Sequence, residues 1–235
     1  FKEAMSLIDG GKFELASKIL KEALLKFPTE FSFINLLAQI SLRNKLLDSG
    51  IALLRKSLEI NKNQPLTLLD LGIALSLNNQ LDEAIIFFDK SAELDSKNVN
   101  VYIRKASTLK KLNRLNEAID CYQKIIDLSP NHIDAYINKA EMLYHSGKLK
   151  ESLSFYQKAS NIKPNKSELY IKCGVIFNKL GKVDEAISAY QKSIEINPEN
   201  SRAYKNLGII YKGLRRYDEA CRYIKKFINI NQDYE

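Results

Sequence analysis

Small residues recur along this chain at a fixed interval of 34 positions. Seven glycines or alanines stand on one such series: Ala4, Ala38, Gly72, Ala106, Ala140, Gly174 and Gly208. A second series with the same spacing contains six Gly or Ala residues and one Ser: Ala16, Gly50, Ala84, Ala118, Ser152, Ala186 and Ala220. Self-similarity at a fixed period is the sequence signature of repeat architectures. The chain is therefore a tandem repeat, and each local motif has to be interpreted within that repeat.

Each repeat is predicted to form two α-helices joined by a tight turn. Apolar residues between Asn100 and Leu112 recur at steps of three or four, which places them on one face of a helix. The segment from Asn116 to Leu128 shows the same periodicity. Short polar turns separate the helices, as in Leu180-Gly181-Lys182, where glycine can adopt the left-handed geometry that ends a helix. A single pair of helices cannot bury both of its faces, so neighbouring repeats are expected to stack.

This repeat resembles the tetratricopeptide repeat, in which Trp, Leu-Gly, Tyr, Ala, Phe and Pro recur over about 34 residues. Residues 167–200 and 201–234 resemble it most closely. The first of these segments has six matching sites: Tyr170, Cys173-Gly174, Phe177, Ala186, Tyr190 and Pro198. The segment 31–64 departs most from the pattern, because other residues stand at four of its consensus positions: Ala38, Ser41, Gly50 and Lys62.

The resemblance implies an all-α fold, a right-handed α-α superhelix in which one solenoid covers residues 1–235. Its repeats are expected at 1–30 (a partial one), 31–64, 65–98, 99–132, 133–166, 167–200 and 201–234. The first repeat would begin before Phe1, and no polar capping helix follows Tyr234. We therefore expect the sequence to be a piece of a longer polypeptide, since solenoids normally carry caps.

Composition predicts a soluble protein of the cytoplasm. The chain is 45% hydrophobic and 27% charged, and it contains no apolar run near the 18 or so residues that cross a bilayer. Its three cysteines, Cys121, Cys173 and Cys221, are far apart. Cys173 and Cys221 occupy positions where other repeats carry apolar residues, which predicts buried free thiols. Free thiols fit a reducing compartment.

No residue set in the sequence indicates catalysis, a metal or a cofactor. The two histidines, His132 and His145, have no Cys, Asp or Glu partner at metal-binding spacing. The Gly-Lys turns lack the spaced glycines and the Ser or Thr of a phosphate-binding loop. Acidic pairs such as Asp184-Glu185 open the second helices, where we expect them to offset the helix dipole and cap amide groups. The prediction is a non-enzymatic chain without cofactors.

The resemblance implies that the first helices line a concave groove that holds a segment of a partner protein. Matching by repeat phase predicts twelve partner-binding residues: Leu69, Ile73, Ile103, Lys110, Ile137, Tyr144, Ile171, Val175, Asn178, Lys205, Ile209 and Lys212. An apolar line with basic neighbours suits a peptide or helix that carries apolar anchors and acidic groups. The main hypothesis is a protein-binding scaffold. An alternative remains open, in which Ile103, Ile137 and Ile171 mostly pack against neighbouring helices.

Two other functions remain as alternatives. The repeats could be the recognition arm of a larger enzyme, such as a bacterial glycosyltransferase with tetratricopeptide repeats at its N-terminus. They could also bind nucleic acid, because the pI is about 9.2 and many basic residues stand near the C-terminal end: Arg202, Lys205, Lys212, Arg215, Arg216, Arg222, Lys225 and Lys226. Acidic neighbours such as Asp218 and Glu219 argue against nucleic-acid binding. The sequence fixes no oligomeric state.

Overall fold

A computed structural model of the chain describes residues 1–232, which form fourteen α-helices and no strand. The predicted all-α fold is confirmed. The chain divides into two compact units, Phe1–Leu128 and Ser129–Glu235. The single solenoid and the repeat bounds stay predictions, and the last two residues of the predicted repeat 201–234 lie outside the described residues.

The first unit consists of four helical hairpins, in which each helix packs on the next one along the chain. Its helices are α1 (Lys2–Asp9), α2 (Phe13–Lys26), α3 (Phe31–Arg43), α4 (Leu47–Ile60), α5 (Pro65–Leu77), α6 (Leu81–Leu94), α7 (Val99–Lys111) and α8 (Leu115–Leu128). The odd-numbered helices are the first helices of the hairpins and the even-numbered ones are the second.

The second unit consists of three hairpins built in the same way. Its helices are α9 (Ile133–His145), α10 (Leu149–Ile162), α11 (Ser167–Lys179), α12 (Val183–Ile196), α13 (Ser201–Gly213) and α14 (Tyr217–Gln232). Within residues 1–232, no helix combines the length and the apolar character that a membrane span requires.

The contact between the two helices of a hairpin depends on the small-residue series. A Cβ atom placed on Gly174 of α11 would lie 2.7 Å from Cε1 of Tyr190 on α12. On Gly72 of α5 it would lie 2.6 Å from Cε1 of Phe88 on α6. Tyr190 and Phe88 are only 2% and 0% exposed. A large side chain thus fills the space over each of these glycines, which explains why these positions are small.

Each hairpin turn holds one residue in the left-handed backbone region. Its φ is between 57° and 76° in all seven cases: Gly11, Lys45, Asn79, Asn113, Gly147, Gly181 and Arg215. After α11, the Lys182 amide donates to the Phe177 carbonyl and the Gly181 amide donates to that of Asn178. These two bonds form the Schellman motif that ends many helices. The sequence predicted the glycine turns, whereas Lys45 and Arg215 adopt the same geometry at a cost of roughly 1–2 kcal/mol.

Several of the acidic residues at the start of the second helices make ion pairs instead of the predicted amide caps. Asp82 and Glu83 lie in the first turn of α6, whose N-cap residue makes no side-chain cap. Glu83 accepts a hydrogen bond from Arg55 of α4 at 2.5 Å, and Asp82 lies 3.4 Å from Arg114. Because both carboxylates lie near the N-terminus of α6, they still interact favourably with the helix dipole.

The cysteines differ in burial. Cys121 and Cys173 are buried and Cys221 is exposed. Burial raises the pKa of the Cys121 thiol to about 11 and that of the Cys173 thiol to about 12. The prediction that Cys221 is a core residue is wrong. Its counterpart one repeat earlier, Ile187, packs against a core cluster that includes residues of α13, whereas within residues 1–232 no helix follows α14 to cover Cys221.

We predict that Gly181→Ala lowers the free energy of unfolding by about 1 kcal/mol, because alanine disfavours the left-handed region. Gly213→Ala is the matched control. Gly213 ends α13 and also has open space at its Cβ position, but it has no left-handed φ, so this change should stabilise the helix by up to about 1 kcal/mol. Urea unfolding followed by circular dichroism measures both effects, and equal signs would contradict the assigned turn.

We predict that a thiol reagent modifies Cys221 rapidly in the native protein at mildly alkaline pH, whereas Cys121 and Cys173 react only after unfolding. Burial restricts access to Cys121 and Cys173 and raises the pKa of both thiols, and both effects slow their reaction. Mass spectrometry of the modified peptides gives the result. In Cys221→Ser the rapid phase should disappear, and fast native labelling of Cys173 would show that the hairpin is more open than described.

Candidate functional site

The second unit has a cavity on the face that its first helices form. The cavity has a volume of about 210 Å³ and is lined by residues of α9, α11 and α13, with Tyr156 of α10 beneath. It brings together three of the predicted partner-binding residues, Tyr144, Ile171 and Val175. Pockets for whole small-molecule ligands usually measure about 300–1,000 Å³, so this one has room for a side chain.

The floor of the cavity is apolar because α11 presents Ile171 and Val175, which are one helical turn apart. Ile171 is only 3% exposed and packs into the core of the unit. Val175 and Tyr144 are half-buried, so part of each side chain remains accessible. An arriving apolar group would therefore contact Val175 and Tyr144, while Ile171 supports the floor from below.

Ion pairs link neighbouring first helices around the cavity. Glu141 of α9 lies 3.9 Å from the Lys172 ammonium of α11, and Glu168 of α11 lies 2.7 Å from the Arg202 guanidinium of α13. All four side chains are partly exposed. Such pairs contribute about 0–1 kcal/mol each, so their main effect is to orient the charged groups at the rim.

An aromatic ring forms one edge of the cavity. The Lys179 ammonium stands 4.5 Å from the centre of the Tyr144 ring, and the His145 ring meets the same ring edge-on at 5.6 Å. A cation over a tyrosine face contributes about 0.5–1 kcal/mol at an exposed site. Lys179 therefore lies within reach of any group that contacts Tyr144.

Two tyrosine hydroxyls lie beneath this face and stay protonated at physiological pH. Burial raises the pKa of Tyr190 to about 12, and a hydrogen bond with the Asn206 side chain partly offsets that effect. Burial also raises the pKa of Tyr156 far above its usual range, and the Glu141 carboxylate adds to the shift. Neither hydroxyl is a base at neutral pH. Of the two, Tyr156 lines the cavity and adds a neutral phenol to it.

The other predicted residues of the second unit lie at the surface. Ile137 is half-buried, and Asn178, Lys205 and Lys212 are exposed. Ile209 is 54% exposed. The first helices α11 and α13 thus present both cationic and apolar groups to solvent.

The predicted residues of the first unit differ in depth. Leu69 is 7% exposed, Ile73 and Ile103 are half-buried, and Lys110 is exposed. Beside Leu69 on α5, burial raises the pKa of the Asp70 carboxyl, and a hydrogen bond from Gln39 partly offsets the shift. Because Leu69 and Ile171 are buried, we leave both out of the surface that contacts a partner.

Sequence reasoning did not assign Lys172, Asn206 and Tyr156 to the site, although all three line the cavity. Lys172 follows the predicted Ile171 by one position, and Asn206 follows the predicted Lys205 by one. The repeat phase could have marked both of these positions. Tyr156 lies on a second helix, and only the packing of the hairpin brings it under the first helices.

His132 has a structural role. Its Nδ1 accepts a hydrogen bond from the Ala135 amide, 3.2 Å away, and so caps the N-terminus of α9. Among residues 1–232, no three His, Cys, Asp or Glu side chains converge in a way that could hold a metal ion.

Sequence models of one repeat family match nearly all of the chain. Those described as tetratricopeptide repeat match residues 1–65, 67–98, 99–132, 121–153 and 201–234. One described as TPR repeat matches residues 174–215. The chain belongs to the tetratricopeptide repeat (TPR) family. No curated protein sequence matches this TPR chain.

Solved TPR structures resemble this one. MamA is 26% identical, with a TM-score of 0.64 over 69% of this chain and 95% of its own. YrrB, described as a TPR protein with an unusual peptide-binding site, is 26% identical, with a TM-score of 0.63 over 77% of this chain and 93% of its own. The C-terminal part of a TPR repeat-containing protein from Cytophaga hutchinsonii has a TM-score of 0.86 over 99% of this chain and 95% of its own. At a sequence identity of 16%, this structural likeness shows the TPR fold alone.

We predict that substitution by aspartate destabilises the protein strongly at the floor of the cavity and only weakly at its edge. Ile171→Asp should lower the free energy of unfolding by about 3 kcal/mol or more, because it buries an unpaired charge. Val175→Asp, at a half-exposed position, should cost about 1 kcal/mol or less. Ile209→Asp on the exposed part of α13 is the control and should change stability by less than about 0.5 kcal/mol. Urea unfolding curves compare the three, and equal costs at 171 and 175 would contradict the depth difference.

Proposed function

We propose that this TPR chain is a non-catalytic scaffold that binds a peptide or helical segment of a partner protein. The partner segment lies on the first helices of the second unit and inserts an apolar side chain into the 210 Å³ cavity. The observation that carries this proposal is the cavity itself, which combines the accessible Val175 and Tyr144 with charged groups at its rim.

The size of the cavity supports a peptide over a small metabolite. Its volume is below the usual range for whole ligands, and an interface gains most of its affinity from a few anchors placed in pockets. One large apolar side chain in contact with Tyr144 and Val175 would be such an anchor. The rest of the segment would contact the exposed surface of α11 and α13.

The charges around the cavity favour acidic groups beside the anchor. Glu141 and Glu168 already face Lys172 and Arg202. Lys205 and Lys212 add exposed cations on α13, and Lys179 stands over Tyr144. Carboxylates of the partner would meet these ammonium groups at the rim, where complementary charge speeds association and selects the partner.

The comparisons are consistent with this reading at the level of the family. TPR repeats generally form scaffolds, and the similar YrrB is described as having a peptide-binding site. The proposal assigns no catalytic residue, cofactor or metal to the chain. It also places the protein in the cytoplasm, where the thiols of Cys121, Cys173 and Cys221 would stay reduced.

Selection from a random peptide library on the immobilised protein tests the proposal. We expect the enriched peptides to share one large apolar residue flanked by acidic residues. Val175→Asp should weaken their binding about tenfold or more, because it places a like charge beside the acidic groups and removes the apolar contact. Lys179→Glu should weaken it as well, with a larger effect at low salt.

Leu25→Asp is the matched control, because Leu25 is 85% exposed on α2 in the first unit. That change should leave peptide binding unaltered. Circular dichroism checks that each variant keeps its helical content. Peptides that bind wild type and Val175→Asp equally well, or a selection that enriches no peptide, would refute the proposal.

A further inference from the structure

The first unit has an open pocket of about 450 Å³ between α4, α5 and α6. This volume lies within the usual range of about 300–1,000 Å³ for whole small-molecule ligands. Two second helices and the first helix between them along the chain form the pocket, whereas mainly first helices form the cavity at Tyr144. Within the same unit, α3 packs on α4 and α7 packs on α6, so the pocket has neighbouring helices on both sides.

The pocket has an apolar floor. Leu58 of α4 is 9% exposed, and Leu68 and Leu71 of α5 are 5% and 0% exposed. On α6, the half-buried Phe87 and the exposed Leu94 form a more accessible wall. Transfer of an apolar group from water onto such a surface is favourable. The pocket is therefore suited to a ligand with an apolar body.

The equivalent groove of the second unit, between α10, α11 and α12, does not share this floor. Its lining residues occupy the same positions three repeats later. Three apolar side chains of the first pocket have counterparts there that are smaller or carry a hydroxyl: Ser160 for Leu58, Tyr170 for Leu68 and Ala189 for Phe87. The apolar lining is thus a property of this one repeat and does not follow from the repeat fold itself.

The residue at position 68 determines how much room the pocket has. The four following repeats carry tyrosine at the equivalent position: Tyr102, Tyr136, Tyr170 and Tyr204. Tyr170 and Tyr204 line the corresponding grooves of the second unit. The Tyr102 hydroxyl donates a hydrogen bond to the Ser96 carbonyl, 3.1 Å away. Leucine has no such ring, so the repeat that contains Leu68 leaves open the space that a tyrosine occupies in the others.

The aromatic ring of Phe87 forms one wall of the pocket, with two cations beside it. The Arg55 guanidinium stands 5.7 Å from the ring centre and the Lys90 ammonium stands 5.2 Å from it. Arg55 also lies 2.5 Å from Glu83 of α6, which holds the guanidinium in place. A planar aromatic ligand can pack on the accessible part of the Phe87 ring in an offset or edge-on arrangement.

The charges at the rim are balanced. Besides Arg55, whose partner is Glu83, the rim carries two ammonium groups and two carboxylates: Lys62, Lys90, Glu59 and Glu93. All four side chains are exposed, so water and salt screen them. A ligand of either charge would meet like as well as opposite charges. An uncharged ligand meets no net repulsion and has no ion to desolvate.

We propose that the pocket between α4, α5 and α6 is a binding site for an uncharged aromatic small molecule. Phe87 accounts for the aromatic preference, the volume for the size, and the balanced rim for the absence of charge. A single side chain of a partner, for which the 210 Å³ cavity has room, would leave much of this pocket unfilled. The pocket shares no residue with the cavity at Tyr144, and it goes beyond the peptide binding proposed there.

Three naphthalene probes that differ in charge test this site. Methyl 2-naphthoate is uncharged, 2-naphthoate is an anion and 2-naphthylmethylammonium is a cation. Titrations of the intact protein followed by amide NMR measure the dissociation constants and locate the shifts. We expect methyl 2-naphthoate to shift amides of α4, α5 and α6 and to bind about fivefold or more tightly than either charged probe. Its affinity should change little with salt.

Leu68→Tyr should weaken the binding of methyl 2-naphthoate about tenfold or more, because the ring fills the pocket. The fold should tolerate this change, since other repeats carry tyrosine at the position, and urea unfolding verifies it. Phe87→Ala, which introduces the residue type of Ala189, should weaken binding to a similar extent. Ile86→Asp is the matched control, because Ile86 precedes Phe87, is 52% exposed and does not line the pocket. Val175→Asp should also leave probe binding unchanged.

Several outcomes would overturn this site. Methyl 2-naphthoate that causes no saturable shifts in α4, α5 and α6, or that binds a folded Leu68→Tyr variant as tightly as wild type, would remove the pocket as a ligand site. Tightest binding of 2-naphthoate, with loss on Lys62→Glu and Lys90→Glu, would assign the pocket to anions instead. Library peptides whose binding is lost in Leu68→Tyr but kept in Val175→Asp would make a partner segment the occupant.

Discussion

The contact between a small residue on one helix and a large side chain on its partner controls the geometry of these hairpins. Tyr190 lies directly over Gly174, and Phe88 lies directly over Gly72. Close packing of this kind fixes the distance between the helices, because an interior at crystal-like density tolerates no extra methyl group without movement. The orientation of the first helices, and with it the cavity at Tyr144, depends on that distance. The geometry of the cavity therefore rests on residues that do not line it.

Most of the fold could be predicted because the same residue types recur in the sequence at a regular interval. Helix type and pairing follow from apolar residues at helical spacing, and the 34-residue interval sets the phase. The left-handed turns at Lys45 and Arg215 could not be predicted from residue type, since neither residue favours that region. Their position in the repeat, and not their residue type, requires the left-handed conformation at these two turns. For Cys221, the position in the repeat predicted burial wrongly. That position is a core position in other repeats, but burial also needs a neighbouring helix.

Only part of the candidate site could be predicted. Repeat phase located the face that includes Tyr144 and Val175, because residues at equivalent positions of stacked helices share a side. The position of a residue in the repeat does not tell how deeply its side chain is buried, so the buried Leu69 and Ile171 could not be distinguished from their accessible neighbours. The cavity also depends on Tyr156 from a second helix. Its position follows from how two helices pack, a three-dimensional relation that a single helical pattern does not contain.

The stacking of the hairpins has a dynamic consequence. In arrays of repeats, stability is a sum of unit and nearest-neighbour terms, so a change in one unit is transmitted to the next. In the second unit, α12 packs on α11 within its own hairpin and on α13 of the following one. Loosening the contact between Gly174 and Tyr190 would therefore also raise the rate at which backbone amides of α13 exchange with solvent, although no residue of that helix had changed.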